Sequence, residues 1–487
     1  MKLMQFDIKG AFMISKIEDQ DIYVSLPDGY GAPAGQVAKL ARSLYGLRDS
    51  AFRYHRTIST WLKDYGFEAL DADATMFRLT DNKGTMLLSL YVDDGLVAHN
   101  NDEMYAEFIK ALSDKFELSS ADSEVKWYLG ISIFRDYEKG CISLSQKQYI
   151  KDMLKRFKME DTKPSPTPLE VGQRLTSEDC PHPDSTDKDT VRAYQQMLGS
   201  LMYTVAWTAP ECAHAVSQCA RYMSNPGPSH IKAAKRILSY LKGRMDIPLT
   251  YHRDNACPNV LYASADADHA GDPEGRRSVT GYVVMLNGAA VSWQSNRQAV
   301  TALSSAEAEY YAASAVGCDL AYLRRLMASM GYPQDKPTQV AEDNVACIYM
   351  SKSSAMHHKS KHIDVRVYKL RELVNDGTME LYQVASADQT ADALTKSVSA
   401  ELLRRHRQRM LGHPEPSSPD PSTKSGYMAF LSPSIICDDS GDAYDGMVRD
   451  EQPPCMTWSQ IIMLLVIVMV YTHRWYRGLP EGCTGQE

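Results

Sequence analysis

Between Val260 and Lys396 the apolar and polar positions change period several times. Val260-Leu-Tyr-Ala-Ser-Ala-Asp266 is an apolar-rich run of strand type that ends on an acid. SSAEAEYYAA has helical spacing, Thr338-Gln-Val-Ala-Glu-Asp343 returns to a strand pattern, and TADALTKS is helical again. The order reads strand, hairpin, strand, helix, strand, helix, strand, helix. It predicts one mixed sheet covered by helices, with acids at element ends or facing them.

Nearer the start, Phe6-Asp-Ile-Lys-Gly-Ala-Phe12 is a short apolar strand broken by one acid. From Met86 to Ala98 two apolar runs flank Asp93-Asp94-Gly95, good chemistry for a tight hairpin. Two readings of D-D-G stand together: a plain turn, or two aspartates presented at a hairpin tip to bind metal beside Asp7. Ser145 and Gln148 form a capping-box pattern, and Tyr149, Met153 and Phe157 share one helical face as core residues. Thr162 to Asp189 is rich in Pro, Ser, Thr and Asp without periodicity and reads as a linker or wrapped loop. Helices are predicted over Tyr194–Tyr203, Cys212–Met223 and His230–Leu241, the last two separated by Asn225-Pro-Gly-Pro228.

Past Lys396 the character changes. Glu401 to Met410 is a short helix dense in arginine, and His413 to Pro454 has the composition of a disordered segment. Met456 to Thr472 has no charged residue, with an apolar centre from Ile461 to Val470. A spanning helix wants about 20 apolar residues, more than this centre has. Trp458, Tyr471, Trp475 and Tyr476 with Arg474 and Arg477 nevertheless suit a membrane interface. A membrane anchor, a buried hydrophobic tail and a gene-model artefact are the readings open here.

Composition narrows the class. The 487 residues are 44% hydrophobic and 23% charged, enough for two or three ordinary globular domains. A net charge of −8 argues against nonspecific coating of nucleic acid, but leaves room for local basic tracks. One runs through Lys352, Lys359, Lys361, Arg366, Lys369 and Arg371. Another, Lys232, Lys235, Arg236 and Lys242, lies on a helix face; a solvated face is the plainer account of each. The ten cysteines are spread singly, so reduced thiols and an intracellular site, cytoplasm or nucleus, are expected. Met1 to Gly10 lacks the apolar core of a secretory signal.

The candidate chemistry rests on four separated carboxylates, Asp266, Glu309, Asp343 and Asp392. Carboxylates are the ligands hard divalent cations prefer, and Mg²⁺ is commonly held by a few of them plus substrate phosphate. Two such ions about 4 Å apart can activate a water and stabilise the leaving oxygen of a phosphodiester. The plainer reading is that 61 acidic residues will sometimes end strands and cap helices.

The words around these acids go further. SADADHAGDPEGRRSVTGY, AVSWQSNRQAVTALSSAEAEY, AEDN, KSKHIDVRVYKLREL and QTADALTK closely resemble the ribonuclease H domain of copia-type LTR retrotransposon polyproteins. The resemblance implies a ribonuclease H fold and assigns Asp266, Glu309, Asp343 and Asp392 to its metal-binding quartet. Glu307 competes for the second place; Glu309 is preferred because an aromatic and small residues follow it, as in the family's motif. Ala265 and His269 stand where family members usually have Ser and Trp. In the same domain Arg276-Arg277 lie in a predicted turn and Lys361-His362 precede a predicted helix, which makes Arg277, Lys361 and His362 candidates for phosphate contact.

YVDD preceded by FDIKGAF resembles the palm of copia-type reverse transcriptase. IYVSLPDGY, SLYGLRDS, KWYLGISI and LSQKQYIKDMLKRFKM extend the likeness. It implies that Asp7, Asp93 and Asp94 are polymerase metal ligands, that Phe12 excludes the nucleotide 2′-hydroxyl, and that Gly46 to Ser50 line the templating region. GLRDSAFR departs from the family's usual GLKQAPR, with Asp49 in place of Gln. The chain opens at the first palm motif, so a palm without fingers and with weak or absent DNA synthesis is expected.

The expected fold is therefore α/β: an α+β polymerase palm with the fingers missing, a helical connection, and a ribonuclease H-like mixed sheet. A disordered C-terminal tail with a hydrophobic helix follows. Expected boundaries are 1–161 for the palm and thumb region, 162–190 linker, 191–257 connection, 258–400 nuclease, 401–455 basic helix and linker, and 456–477 hydrophobic segment. The implied cofactor is Mg²⁺, two per site, or Mn²⁺. The implied partners are RNA–DNA hybrid, primer–template, dNTPs and, through the tail, membrane. The alternative is a catalytically inactive retroelement remnant acting as a nucleic-acid- or membrane-associated module.

Overall fold

The computed structural model describes residues 1–413 apart from 27, 28, 32, 34, 183, 184, 186, 254–258 and 353–360, and leaves undescribed the side chains of 120–123 and 361–367. The expected disordered linker and hydrophobic segment lie outside the described residues. Among those described, no helix is long and apolar enough to cross a membrane. The chain forms two compact units, Met1–Val125 with the short piece Ser329–Gly331, and the remainder from Lys126.

The first unit runs β1 (Lys2–Ile8), α1 (Ala11–Ile14), β2 (Tyr23–Ser25), β3 (Val37–Lys39), α2 (Ser50–Tyr65), β4 (Glu68–Leu70), β5 (Asp73–Thr80), β6 (Thr85–Tyr91), β7 (Asp94–His99), α3 (Asp102–Lys115) and β8 (Leu118–Glu124). Six strands pair in the order β4-β5-β6-β7-β1-β8, every neighbouring pair antiparallel. Tyr54, Ile58 and Leu62 repeat every fourth residue on α2 and bury one stripe. They share a core with Phe108 and Leu112 of α3 and with Phe6 and Ile8 of β1. The Asn101 side chain caps α3 by accepting from Met104 N–H, and Gly66 ends α2 in the left-handed conformation.

The second unit begins with β9 (Trp127–Tyr128), β10 (Ile131–Asp136), β11 (Cys141–Ser145) and four helices: α4 (Lys147–Arg156), α5 (Lys188–Trp207), α6 (Ala213–Ala220) and α7 (Pro228–Arg244). β12 (Leu249–His252) then returns to pair with β11, closing an antiparallel sheet of order β12-β11-β10-β9. Residues 126–161 thus pack with the connection helices, their Ile150, Met153 and Leu154 sharing a core with Leu198, Leu201, Ile237 and Leu241. Met153 is buried with Tyr149 and Phe157 partly so, as the helical stripe predicts. The capping box does not form. α4 starts one residue later than that box requires, Gln146 is its N-cap without a side-chain capping bond, and Gln148 instead donates to Asp152, one turn on.

The Pro/Ser-rich stretch is a wrapped loop. Leu169 and Leu175 insert into the helical core, and Tyr222 donates its hydroxyl to Leu175 O at 2.7 Å. The basic face of α7 largely holds this loop: Lys242 donates to the carbonyls of Glu160 and Thr162, and Arg236 pairs with Glu170 at 3.0 Å.

A five-stranded mixed sheet follows, of order β15-β14-β13-β16-β17, from β13 (Leu261–Asp268), β14 (Val279–Leu286), β15 (Ala289–Arg297), β16 (Thr338–Glu342) and β17 (Met379–Gln383). β13, β14 and β15 are antiparallel neighbours, whereas β13–β16 and β16–β17 are parallel. Its helices are α8 (Ser305–Ser329), α9 (Val345–Lys352), α10 (Lys361–Asn375), α11 (Asp392–Thr395) and α12 (Ala400–Met410). Every residue of β14 is buried, as a strand covered on both faces requires. Val283, Met285, Ala290 and Trp293 pack into the core of the connection helices, and Trp293 Nε1 donates to Val205 O at 3.1 Å. Lys361 and His362 belong to the first turn of α10 rather than preceding it; their side chains lie outside the described residues.

Candidate functional site

The central strand β13 carries Asp266 on a buried position, only 3% exposed. Directly across the ladder stands Gly281 of β14. A Cβ there would lie 2.6 Å from Thr395 Cγ2 and 2.9 Å from Leu394 Cβ. The missing side chain is what lets α11 lie against the strand and bring its residues to Asp266. Thr395 donates its hydroxyl to Asp266, and Gln389 Nε2 donates to Ala265 O at 2.8 Å, fastening the segment before α11 to β13.

Glu309 arrives from the opposite element, the first turns of α8, and is 5% exposed. Glu307 has other work: its carboxylate accepts from Leu303 N–H at 2.8 Å and from the Tyr311 hydroxyl, while its own N–H donates to Ser304 Oγ. That reciprocal bonding caps the helix and leaves Glu309 as the acid facing the sheet. Asp343 follows the last residue of β16. One oxygen each from Asp266, Glu309 and Asp343 lie within 4.8 Å of one another, and among the described residues this is the acid, His and Cys group that draws together so closely. Asp392, at the start of α11, shares a side-chain hydrogen bond with Asp266 and meets Lys396 Nζ at 2.9 Å.

The electrostatics follow from burial. Desolvation, then the charges of Asp266, Glu342 and Asp343, push the Glu309 carboxyl well above its ordinary range. Desolvation also raises Asp392, with Asp266 adding to it and Lys396 opposing, and raises Asp266 and Glu342. Glu309 Oε2 and Glu342 Oε2 are buried without a hydrogen-bond partner among the described residues. Clustered acids with an unpartnered buried oxygen fit a hard divalent cation, which would replace proton with metal at no cost in ligand type.

The second trio, Asp7, Asp93 and Asp94, is built differently. Asp7 of β1 stands opposite Asp94 of β7, and Ile8 N–H donates to Asp93 O at 3.0 Å in the turn between β6 and β7. All three aspartates are half-buried, and their oxygens do not gather as the first trio's do. Burial first, then Asp7 and Asp93, push Asp94 up to about 6, against a hydrogen bond from Gln5. The hairpin forms as expected, but Gly95 is not its turn residue. The left-handed position is Val92, at φ 54°, whereas a Cβ on Gly95 would lie 2.1 Å from the Phe6 ring. Phe12, on α1, packs 4.9 Å from the Tyr45 ring and 6.2 Å from the Tyr54 ring. Gly46 sits in open space at φ 95°, so its requirement is backbone conformation. Asp49 is committed to Arg53 at 2.7 Å and Gln20 at 2.9 Å.

The expected basic contacts fare unevenly. Arg276 is exposed in the 271–277 turn and Arg277 half-exposed. The buried charge of that turn is Asp272, held by Arg221 at 2.5 Å and Arg297 at 2.9 Å, a pairing that spacing does not reveal. In the α9–α10 track Lys352 pairs with Glu380 and Lys369 with Glu372, while Lys359 lies outside the described residues, as do the side chains of Lys361 and Arg366. Residues unread in the sequence include Glu342, buried beside Asp343, and Lys396 with Thr395. The only hint of the last pair was a Lys four residues after Asp392, one helical turn away.

Residues 1–171 match the family described as reverse transcriptase (RNA-dependent DNA polymerase). The retrovirus-related Pol polyprotein from transposon TNT 1-94 of Nicotiana tabacum is 34% identical over 82% of this chain and 30% of its own length. That from transposon RE2 of Arabidopsis thaliana is 31% identical over 82% of this chain and 27% of its own length. The chain thus spans about a third or less of these relatives. A compost-derived ribonuclease H1 structure, LC11-RNase H1, aligns with 28% of this chain and 93% of its own at 16% identity and a TM-score of 0.23, too low to carry weight.

Proposed function

The chain belongs to the Pol polyproteins of copia-type retrotransposons, and from that premise we propose that its second unit cleaves the RNA strand of RNA–DNA hybrids while its first unit carries the palm of an RNA-directed DNA polymerase. The observation that carries the nuclease reading is the convergence of Asp266, Glu309 and Asp343 within 4.8 Å, with Asp392 adjoining. Asp266, Glu309, Asp343 and Asp392 would hold Mg²⁺ or Mn²⁺. Bound there, divalent ions supply a nucleophilic water and neutralise the leaving oxygen of a phosphodiester.

The protein's own contribution is placement. β13 fixes Asp266, the Thr395 hydroxyl orients it, and the capped first turn of α8 aims Glu309 at the sheet. Burial keeps water away from these carboxylates and makes their unmetalled state costly, which favours ion uptake. In the palm, Asp7, Asp93 and Asp94 are proposed as the ligands of a second centre that positions a primer hydroxyl and a dNTP, with Phe12 and Gly46 beside the nucleotide. Recognition of hybrid by A-form shape and backbone rather than sequence agrees with this assignment; Arg277, Lys361 and His362 are proposed phosphate contacts.

The test is cleavage of a labelled RNA–DNA hybrid by the full chain, with and without Mg²⁺. Metal-dependent cleavage that Glu309→Gln abolishes, with the thermal transition retained, is the expected result. Cleavage that survives Glu309→Gln removes this ligand assignment.

A further inference from the structure

β8 loses its regular register where it passes Asp7. Gln5 pairs with Ser123 and Asp7 with Ser120, so two steps along β1 meet three along β8. Ile8 then pairs with Leu118, one step against two. Each mismatch is a β-bulge, and the second leaves Ser119 as the extra residue beside Asp7 and Ile8. In a regular ladder Ser119 would point to the face opposite that of Asp7 and its partner position, Ser120. A bulge re-aims the side chain at the point where the extra residue enters. Here the Ser119 hydroxyl donates to Asp7 Oδ2 and lies 3.5 Å from Asp7 O. A solvated surface serine would not need a strand to break its register on both sides of one aspartate.

The donors that meet these acids are neutral. Gln5, two residues before Asp7 on β1, hydrogen-bonds Asp94. Lys9, the lysine nearest Asp7 along the chain, is drawn aside to Glu117 at 2.6 Å, with both side chains more than half exposed. A hydroxyl and an amide orient a carboxylate without cancelling its charge, as a paired ammonium would. Three carboxylates with no paired cation among the described residues fit a hard divalent ion. We infer that Ser119 is a positioning residue of the first unit: it holds one oxygen of Asp7 from the β8 flank, so that the carboxylate is already set beside Asp94 when a divalent ion arrives. This deepens the polymerase reading of the first unit and rests on it. Asp93 and Asp94 repel Asp7 until an ion binds, and the hydroxyl opposes the swing that this repulsion favours. Partners of this kind, bonded to a ligand rather than to the metal, are worth about 10–100-fold in metal affinity.

The test reads ion affinity rather than turnover. Mn²⁺ binding to the full chain is followed by calorimetry and electron paramagnetic resonance, in a background with Glu309→Gln and Asp343→Asn so that the Asp266 cluster adds none. In that background the ion that Asp7→Asn abolishes is the one of interest. Ser119→Ala should weaken it by about tenfold or more, while the ion-free melting transition stays in place, because Ser119 is exposed. Ser119→Thr, which keeps the hydroxyl, should bind as the parent does. Equal Mn²⁺ affinity in Ser119→Ala and parent overturns the inference and leaves the polymerase reading intact. If Asp7→Asn changes nothing in this background, the first unit holds no such ion, and that reading fails together with the inference.

Discussion

The two carboxylate centres use the same residue type in opposite surroundings. In the five-stranded mixed sheet, Asp266, Glu309 and Asp392 are each no more than 5% exposed, and their elements are locked by a glycine opposite Asp266 and a capped helix behind Glu309. In the first unit, Asp7 near the end of β1 and Asp93 and Asp94 at the β6–β7 turn are half-buried, and their oxygens are not drawn together. The contrast is one of preorganisation. The Asp266 cluster bears the repulsion of its acids within the fold, whereas Asp7, Asp93 and Asp94 are less buried and stand further apart.

The largest expected effect follows from removing a buried ligand. Asp266→Asn should lower hybrid cleavage by about a thousandfold or more, and raise the ion-free melting temperature by relieving repulsion. Loss of both cleavage and folding would mean that Asp266 is structural. Next, Gly281→Val forces α11 off the strand. It should cost about 1–3 kcal/mol of stability and cleavage together, read by denaturant titration and hybrid assay. Unchanged cleavage would show that α11 is not what places Asp392.

The pH response sharpens the same contrast. Burial lifts the folded-state pKa of Glu309, Glu342 and Asp392 above the ordinary carboxylate value. These groups are ordinary acids when unfolded, so they weaken the ion-free fold once pH exceeds that ordinary value. The weakening is relieved as pH falls from neutrality toward it. The second unit's melting temperature should therefore rise on mild acidification, and Mg²⁺ at neutral pH should raise it and flatten the dependence. The smallest effect belongs to the palm. Asp94 titrates near 6 from the same causes at lesser burial, so Asp94→Asn should stabilise the first unit by about 1 kcal/mol after solvent screening. A destabilised Asp94→Asn would show that a bond to this carboxylate outweighs its burial.

Much of this organisation was legible along the chain. Period changes located β13, β16, α8 and the β6–β7 hairpin, and the motif words singled out the acids that the fold brings together around Asp266. What escaped reading depends on contacts distant in sequence. Gly281 matters because Thr395, over a hundred residues later, packs where its Cβ would be. Gly95 looked like turn chemistry, yet the Phe6 ring requires it. Ser145 and Gln148 satisfied a local capping rule, yet Gln148 bonds Asp152 along α4 and Gln146 accepts from distant Thr208. The basic face of α7 read most simply as a solvated face, because the loop that Lys242 and Arg236 bind has no periodicity to announce it.

The central claim is that Asp266, Glu309 and Asp343 form a divalent-ion site, and anomalous diffraction from Mn²⁺-soaked crystals of the full chain tests it most directly. The account predicts a peak bonded to oxygens of all three residues, lost in Glu309→Gln. Manganese found elsewhere, with these carboxylates bound to one another or to Lys396 alone, would contradict it.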